Sequence, residues 1–284
     1  MSANAYQMVT DRIIAELEKG LIPWERPWSG VKDGAYNRVT GKPYSLLNQM
    51  LLKHTGEYAT YKQITEAGGR VRKGAKSEIV VFWKIQPVTE ELDDGTTEVR
   101  QIPLLRYYNV FHVATQAEGI EPIQKKMDNN VEPIAEAEKL LHDYISRENI
   151  TLEQCVSNEA YYSPARDLIH LPTLNQFAQV EEFYSTAFHE ATHSTMTASR
   201  CDRQAARTGA KAAFGGEEYS KEELVAEIGA ATILNRLNIE TSHSFRNSAA
   251  YIQNWLTVLR NDNHFIVSAA GKAEKAVKYI FAES

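Results

Sequence analysis

The chain has 284 residues, 43% of them hydrophobic and 24% charged, which is apolar material for one large or two modest globular domains and excludes a wholly disordered polymer. No apolar run approaches the roughly 18–20 residues of a membrane-spanning helix, and Met1–Lys19 carries acids among its apolar positions, so neither a membrane span nor a secretory leader is expected. Two cysteines, Cys155 and Cys201, make neither a disulfide framework nor a Cys-rich zinc site, which fits a reducing, cytoplasmic setting. The net charge of −6 is uneven: residues 1–130 sum to +1 and the remainder to −7. Within Tyr36–Pro87 nine basic residues face three acidic ones, interleaved with six aromatics, a composition that points to a nucleic-acid partner.

Val9, Ile13 and Leu17 recur at four-residue intervals and predict a helix over Tyr6–Lys19, stopped by Gly20. Pro23 and Pro27 make the following tryptophan-bearing segment a rigid loop. Short helices are expected at Ser45–His54 and Thr60–Ala67. Ser77–Gln86 and Leu104–Val113 are β-branched and aromatic, with an Asp93-Asp94-Gly95 turn between them, and predict a long hairpin. Residues 122–133, with Pro122, Asp128-Asn129-Asn130 and Pro133, read as a linker between domains at 1–121 and 134–284. Beyond it the pattern predicts a helix over Ile134–Arg147, strand–turn–strand over Ala160–Leu171, and helices over Phe177–Met196, Lys221–Leu237, Ala249–Leu259 and Ala270–Phe281. The fold class is α+β in two domains.

The chemistry concentrates in His189-Glu190-Ala191-Thr192-His193. On a helix the two imidazoles project from one face, one turn apart, within reach of a single metal ion, and the adjacent Glu190 takes the place of a general base. A catalytic zinc site needs a third protein ligand, and the histidine that metzincins place six residues on is missing, since position 199 is Ser. Glu223 and Glu227 share a face of the helix Lys221–Leu237, so one can bind the metal while the other accepts the free N–H of a liganding histidine. Glu223 is assigned to the metal and Glu227 to the N–H, an order that spacing alone leaves open. Glu222 reads as a helix-start charge favoured by the dipole.

The expected ion is zinc, with manganese or cobalt as alternatives. The expected reaction is peptide-bond hydrolysis, with Tyr219, Tyr251, His243 and His264 as oxyanion-donor candidates and Ala160–Leu171 offering an edge strand to the peptide. His170 reads as a rim or core histidine. For nucleic acid, Arg70, Arg72, Lys73 and Lys76 stand among Gly68, Gly69 and Gly74, where a phosphate backbone can approach. Trp24, Trp28, Tyr44, Tyr61 and Trp83 are the candidate stacking rings.

Several motifs carry a family resemblance across nearly the whole chain, in the expected order. Gly20-Leu21-Ile22-Pro23-Trp24, Gly41-Lys42-Pro43-Tyr44, Val71-Arg72-Lys73-Gly74 with Val80-Val81-Phe82-Trp83, and Tyr108-Asn109-Val110-Phe111 resemble the N-terminal domain of the ArdC antirestriction proteins. Tyr161-Tyr162-Ser163-Pro164, His189–His193, Arg200–Arg203 and Glu223–Ala230 resemble the zincin-type metallopeptidase domain of the same family. The resemblance implies a bacterial, plasmid-encoded protein that binds single-stranded DNA and shields incoming plasmid DNA from host restriction during conjugation. It implies a gluzincin-like ligand set at His189, His193 and Glu223 with Glu190 catalytic, and leaves a host restriction-enzyme subunit as a candidate protein substrate or target. The alternative is a non-catalytic protein that coats DNA or occludes a restriction enzyme and keeps its metal for folding.

Overall fold

A computed structural model describes residues 4–19, 23, 34–91, 97–123, 133–157, 159–177, 179–203, 217–239 and 248–283; the side chains of 88–91, 97, 98, 100, 133, 217–220 and 248–254 lie outside that description. The N-terminal helix α1 (Ala5–Leu17) forms where its apolar spacing predicts, with Val9, Ile13 and Leu17 buried and the Asn4 side chain accepting the Tyr6 N–H at 3.0 Å as the cap. Strand β1 (Ala35–Asn37), helix α2 (Leu46–Leu51) and strand β2 (Gly56–Ala59) follow, β1 and β2 running parallel. Helix α3 (Tyr61–Glu66) starts at a capping box, in which Thr60 Oγ1 accepts the Gln63 N–H at 3.2 Å and Gln63 Oε1 accepts the Thr60 N–H at 2.8 Å.

The expected hairpin is present and longer than the apolar pattern indicates. After β3 (Arg70–Val71), strands β4 (Glu78–Glu91) and β5 (Thr97–His112) pair antiparallel from Glu78↔Val110 out to Glu91↔Thr97. The polar outer residues extend the ladder because each backbone group finds its partner across the hairpin. A single-turn helix α4 (Val113–Gln116) leads to β6 (Ala117–Glu118), which returns to pair with β3. The larger sheet has the order β1-β2-β5-β4.

In the second half, α5 (Pro133–Glu148) precedes a three-stranded sheet of β7 (Thr151–Cys155), β8 (Tyr161–Ser163) and β9 (Leu168–Pro172) in the order β7-β9-β8. The buried β9 is parallel to β7 and antiparallel to β8. Helices α6 (Val180–Ser194), α7 (Glu217–Arg236), α8 (Ser248–Asn261) and α9 (Phe265–Ile280) complete the described elements. Helix α9 begins earlier than the sequence suggests, with Phe265, Ile266 and Val267 forming its buried first turn.

The two largest apolar cores meet at α7, and two smaller ones lie under the N-terminal strands and α3. One of the larger pair joins Val9 and Ile13 of α1, Met50 of α2 and Val81 of β4 to Leu224, Val225 and Ile228 of α7 and to α8 and α9. It therefore draws on both sides of residues 122–133; most of that expected linker, 124–132, lies outside the described residues. The second core packs α5, the three-stranded sheet and α6 against Ala230, Ile233 and Leu234 of α7.

Helices α6 and α7 meet at a glycine. A Cβ at Gly229 would lie 2.6 Å from Thr192 Cγ2 and 2.8 Å from its Oγ1, and Thr192 is held in place by donating to Phe188 O at 2.8 Å. Gly229→Ala should therefore destabilise the protein by about 1–3 kcal/mol through overpacking, read as a lowered thermal midpoint. An unchanged or raised midpoint, reflecting only the helix-propensity gain of about 1 kcal/mol for Ala over Gly, would show that the helices do not cross so closely.

Candidate metal centre and nucleic-acid surface

The crossing at Gly229 brings the His-Glu-x-x-His turn of α6 against the acidic first half of α7. The rings of His189 and His193 stand edge to face with centroids 4.7 Å apart, and their Nε2 atoms approach to 3.1 Å. The Glu223 carboxylate straddles both, with Oε2 3.5 Å from His189 Nε2 and Oε1 3.4 Å from His193 Nε2. One ligand atom from each of the three residues lies within 4.8 Å of the others, the only such grouping of three or more His, Cys, Asp or Glu among the described residues. Glu227 sits behind, its Oε1 3.5 Å from His189 Nδ1. Glu190 is buried beside them.

The electrostatics follow from this crowding. Burial opposes protonation of His193, but Glu222 and Glu223 outweigh it and lift the imidazole to about 10. Burial likewise disfavours the charged form of His189, and Glu227 and Glu223 reverse the balance and raise it. Burial works against an ionised Glu223, yet the two histidines hold it well below the usual carboxylate range. Glu227 moves up, through burial and the charge of Glu223. Four carboxylates, Glu190, Glu222, Glu223 and Glu227, thus share a buried space with the guanidinium of Arg203 and two imidazoles. Such a cluster requires further positive charge, which protons on the imidazoles or a divalent cation can supply. With nitrogen and carboxylate donors converging on one point, the residues fit a zinc-type ion.

Glu222 departs from the sequence expectation. Helix α7 starts at Glu217 rather than near Lys221, so Glu222 lies in its second turn and points inward instead of serving as an exposed helix-start charge. Arg203 grips it in a bidentate pair, Nη2 to Oε1 at 2.7 Å and Nε to Oε2 at 3.2 Å, and donates as well to Thr195 Oγ1 at 2.7 Å and Thr192 O at 2.9 Å. Burial and the competing pull of His193 and Arg203 leave the Glu222 carboxyl at about 2. No spacing rule links Arg203 to Glu222 across nineteen positions.

The remaining candidates scatter. The side chains of Tyr219 and Tyr251 lie outside the described residues, as does His243. His264 lies against Tyr6 of α1, with ring centroids 3.7 Å apart and the planes tilted by 32°. His170 is buried between the Tyr161 ring, 4.9 Å away, and Glu153 Oε2 at 3.2 Å. Strand β8 is an edge of its sheet and packs on α6.

On the N-terminal half, Arg70, Arg72, Lys73 and Lys76 are exposed. Arg70 pairs with Glu118 at 2.6 Å, and its neighbours Gly68, Gly69 and Gly119 help line a cleft of about 380 Å³. Tyr61 and Trp83 present exposed rings, at 63% and 55% of full accessibility, whereas Tyr44 is packed into a small core with Tyr58 and Val80. Trp24 and Trp28 lie outside the described residues. The hairpin shows a surface that composition did not single out: Phe82 and Tyr108 are 45% and 46% exposed, 5.9 Å apart, and the cross-strand pairs Phe82↔Arg106 and Lys84↔Leu104 put two cations on the same face. Finding it required the strand register, which decides which aromatics share a face.

Residues 136–272, with a histidine-bearing helix crossed by a carboxylate-bearing one beside a small sheet, match the profile of zincin-like metallopeptidases, and residues 3–111 match that of the N-terminal domain of the anti-restriction factor ArdC. The chain belongs to the ArdC antirestriction family. It is 32% identical to the antirestriction ArdC protein of plasmid R388 in its metal-free crystal structure, with a TM-score of 0.75 and 99% of each chain covered. The Mn(II)-bound structure of that protein aligns with a TM-score of 0.74 at 31% identity, covering 98% of this chain and 97% of that one. A DNA primase TraC of Escherichia coli is 32% identical over 98% of this chain, which spans 20% of that protein's length.

Proposed function

We propose that the protein is a cytoplasmic antirestriction factor that holds single-stranded DNA on its N-terminal half and hydrolyses peptide bonds with its C-terminal half, protecting plasmid DNA that enters by conjugation. The observation that carries the enzymatic half is the convergence of His189 Nε2, His193 Nε2 and the Glu223 carboxylate within 4.8 Å on two helices. These three residues would hold zinc, or manganese or cobalt; that the R388 protein has a Mn(II)-bound structure supports a divalent ion. When bound, the ion supplies Lewis-acid polarisation of the scissile carbonyl and a water of lowered pKa.

The chain's own groups do the rest. Glu227, with Oε1 3.5 Å from His189 Nδ1, would accept the Nδ1–H and fix that ring's tautomer. Glu190 receives the proton of the attacking water and passes it to the leaving amide nitrogen. Strand β8 offers unpaired backbone to an extended peptide, and a subunit of a host restriction enzyme is the class of protein substrate that fits the family's role. The DNA half rests on the exposed rings and cations of β4 and β5 together with the Arg70–Lys76 run, the pairing of stacking faces and phosphate contacts that single strands use.

Two measurements test the halves separately. In the metal-loaded protein Glu190→Ala should slow peptide cleavage by about 10²-fold or more while zinc and DNA binding are unchanged. Cleavage at the wild-type rate would refute the assignment of the base, and a wild-type protein that cleaves nothing yet protects DNA would leave the metal as a folding element. For DNA, titration of a short fluorescent single strand should show Kd rising steeply with salt and about 5–150-fold weaker binding for Phe82→Ala or Tyr108→Ala, equivalent to about 1–3 kcal/mol per stacked base. Absence of binding at low salt would remove DNA from the account.

A further inference from the structure

We infer that Arg203 and Glu222 are a positioning pair that fixes the imidazole of His193 for its metal; this rests on the proposed metal centre and adds residues that its ligand set does not contain. An imidazole that offers Nε2 to a cation must carry its proton on Nδ1, and that N–H needs an acceptor. Nδ1 of His193 is the one buried side-chain polar atom among the described residues that lacks a hydrogen-bond partner. The carboxylate facing it is that of Glu222, whose Oε1 is 3.6 Å away. His189 shows the parallel arrangement with Glu227 at 3.5 Å, so each imidazole has its own carboxylate behind it.

Glu222 differs from Glu227 in being clamped. Its Oε1, the atom facing His193, also accepts from Arg203 Nη2 at 2.7 Å. Arg203 in turn is tied to α6 itself through Thr192 O and to Thr195 just beyond it, and Thr195 donates to Thr192 O at 2.6 Å. The pair therefore references the acceptor to the same helix that carries His193. An isolated buried ion pair contributes little to stability, since desolvation offsets its attraction; holding a ligand's tautomer and angle gives this one a function.

The test measures zinc affinity by competition with a chromogenic chelator on the full chain, beside the thermal midpoint of the metal-free protein. Glu222→Gln should weaken zinc binding about 10–100-fold. Because that variant strands Arg203, the double variant Arg203→Met with Glu222→Leu, which replaces the ion pair by apolar groups of similar size and should keep the fold, is expected to show the same loss. The control is Arg200→Met. The Arg200 side chain is as deeply buried and bonds Ser194 O at 2.9 Å and Asp167 at 2.7 Å, but bonds none of the three proposed ligands, so its loss should lower the midpoint and leave zinc affinity unchanged. Wild-type affinity in a folded double variant, or an equal loss in Arg200→Met, would overturn the inference. A wild-type chain that binds no zinc would overturn it too, by removing the metal centre on which it rests.

Discussion

The close crossing of α6 and α7 at Thr192 and Gly229 is the constraint from which the rest of the site follows. Without a side chain at position 229 the two backbones approach until Glu223 reaches both imidazoles of the preceding helix, and the same approach buries Glu222 and Glu227 behind them. Burial makes the carboxylates costly unless positive charge accompanies them. Without a metal, the surrounding carboxylates shift both imidazoles toward their protonated forms against the opposing effect of burial. A divalent cation answers the same need with a higher charge density, so the geometry that raises the histidines also prepares them to exchange protons for metal.

Helix α7 links this chemistry to the other half of the molecule. Its inward face carries Glu222, Glu223 and Glu227, while Leu224, Val225 and Ile228 pack into a core with α1, α2 and β4. Val81 of that core lies one residue from Phe82, whose ring is exposed on the basic face of the hairpin. The strand carrying the aromatic surface and the helix carrying Glu223 thus share one set of apolar contacts, although residues matched by separate family profiles supply them.

Much of this was legible in the sequence where the signal is local. The turn from His189 to His193, the paired acids four apart on α7 and the small residues that let it pack closely are all spacing patterns on a helix. The hairpin announced itself by β-branched and aromatic residues, but its polar outer half did not, because pairing across the strands rather than side-chain periodicity defines it. Four of the short strands, β1, β2, β3 and β6, show no period in their two to four residues, whereas the equally short β8 was legible through the turn that joins it to β9. Glu222 escaped because its role depends on where α7 begins and on Arg203, nineteen residues away. Tyr44, read as a stacking ring, is buried, and Phe82, which was not, is exposed, because exposure of an aromatic depends on what packs over it, which a sequence window does not contain.

The proposed centre is one divalent cation held by His189, His193 and Glu223 together. Anomalous diffraction from crystals grown with zinc measures this directly. The expected result is a single anomalous peak about 2.0–2.2 Å from Nε2 of both histidines and from a Glu223 oxygen, with a coordination position left open. A peak bound by Glu227 in place of Glu223, a fourth protein side chain closing the open position, or no peak between the two helices would contradict it.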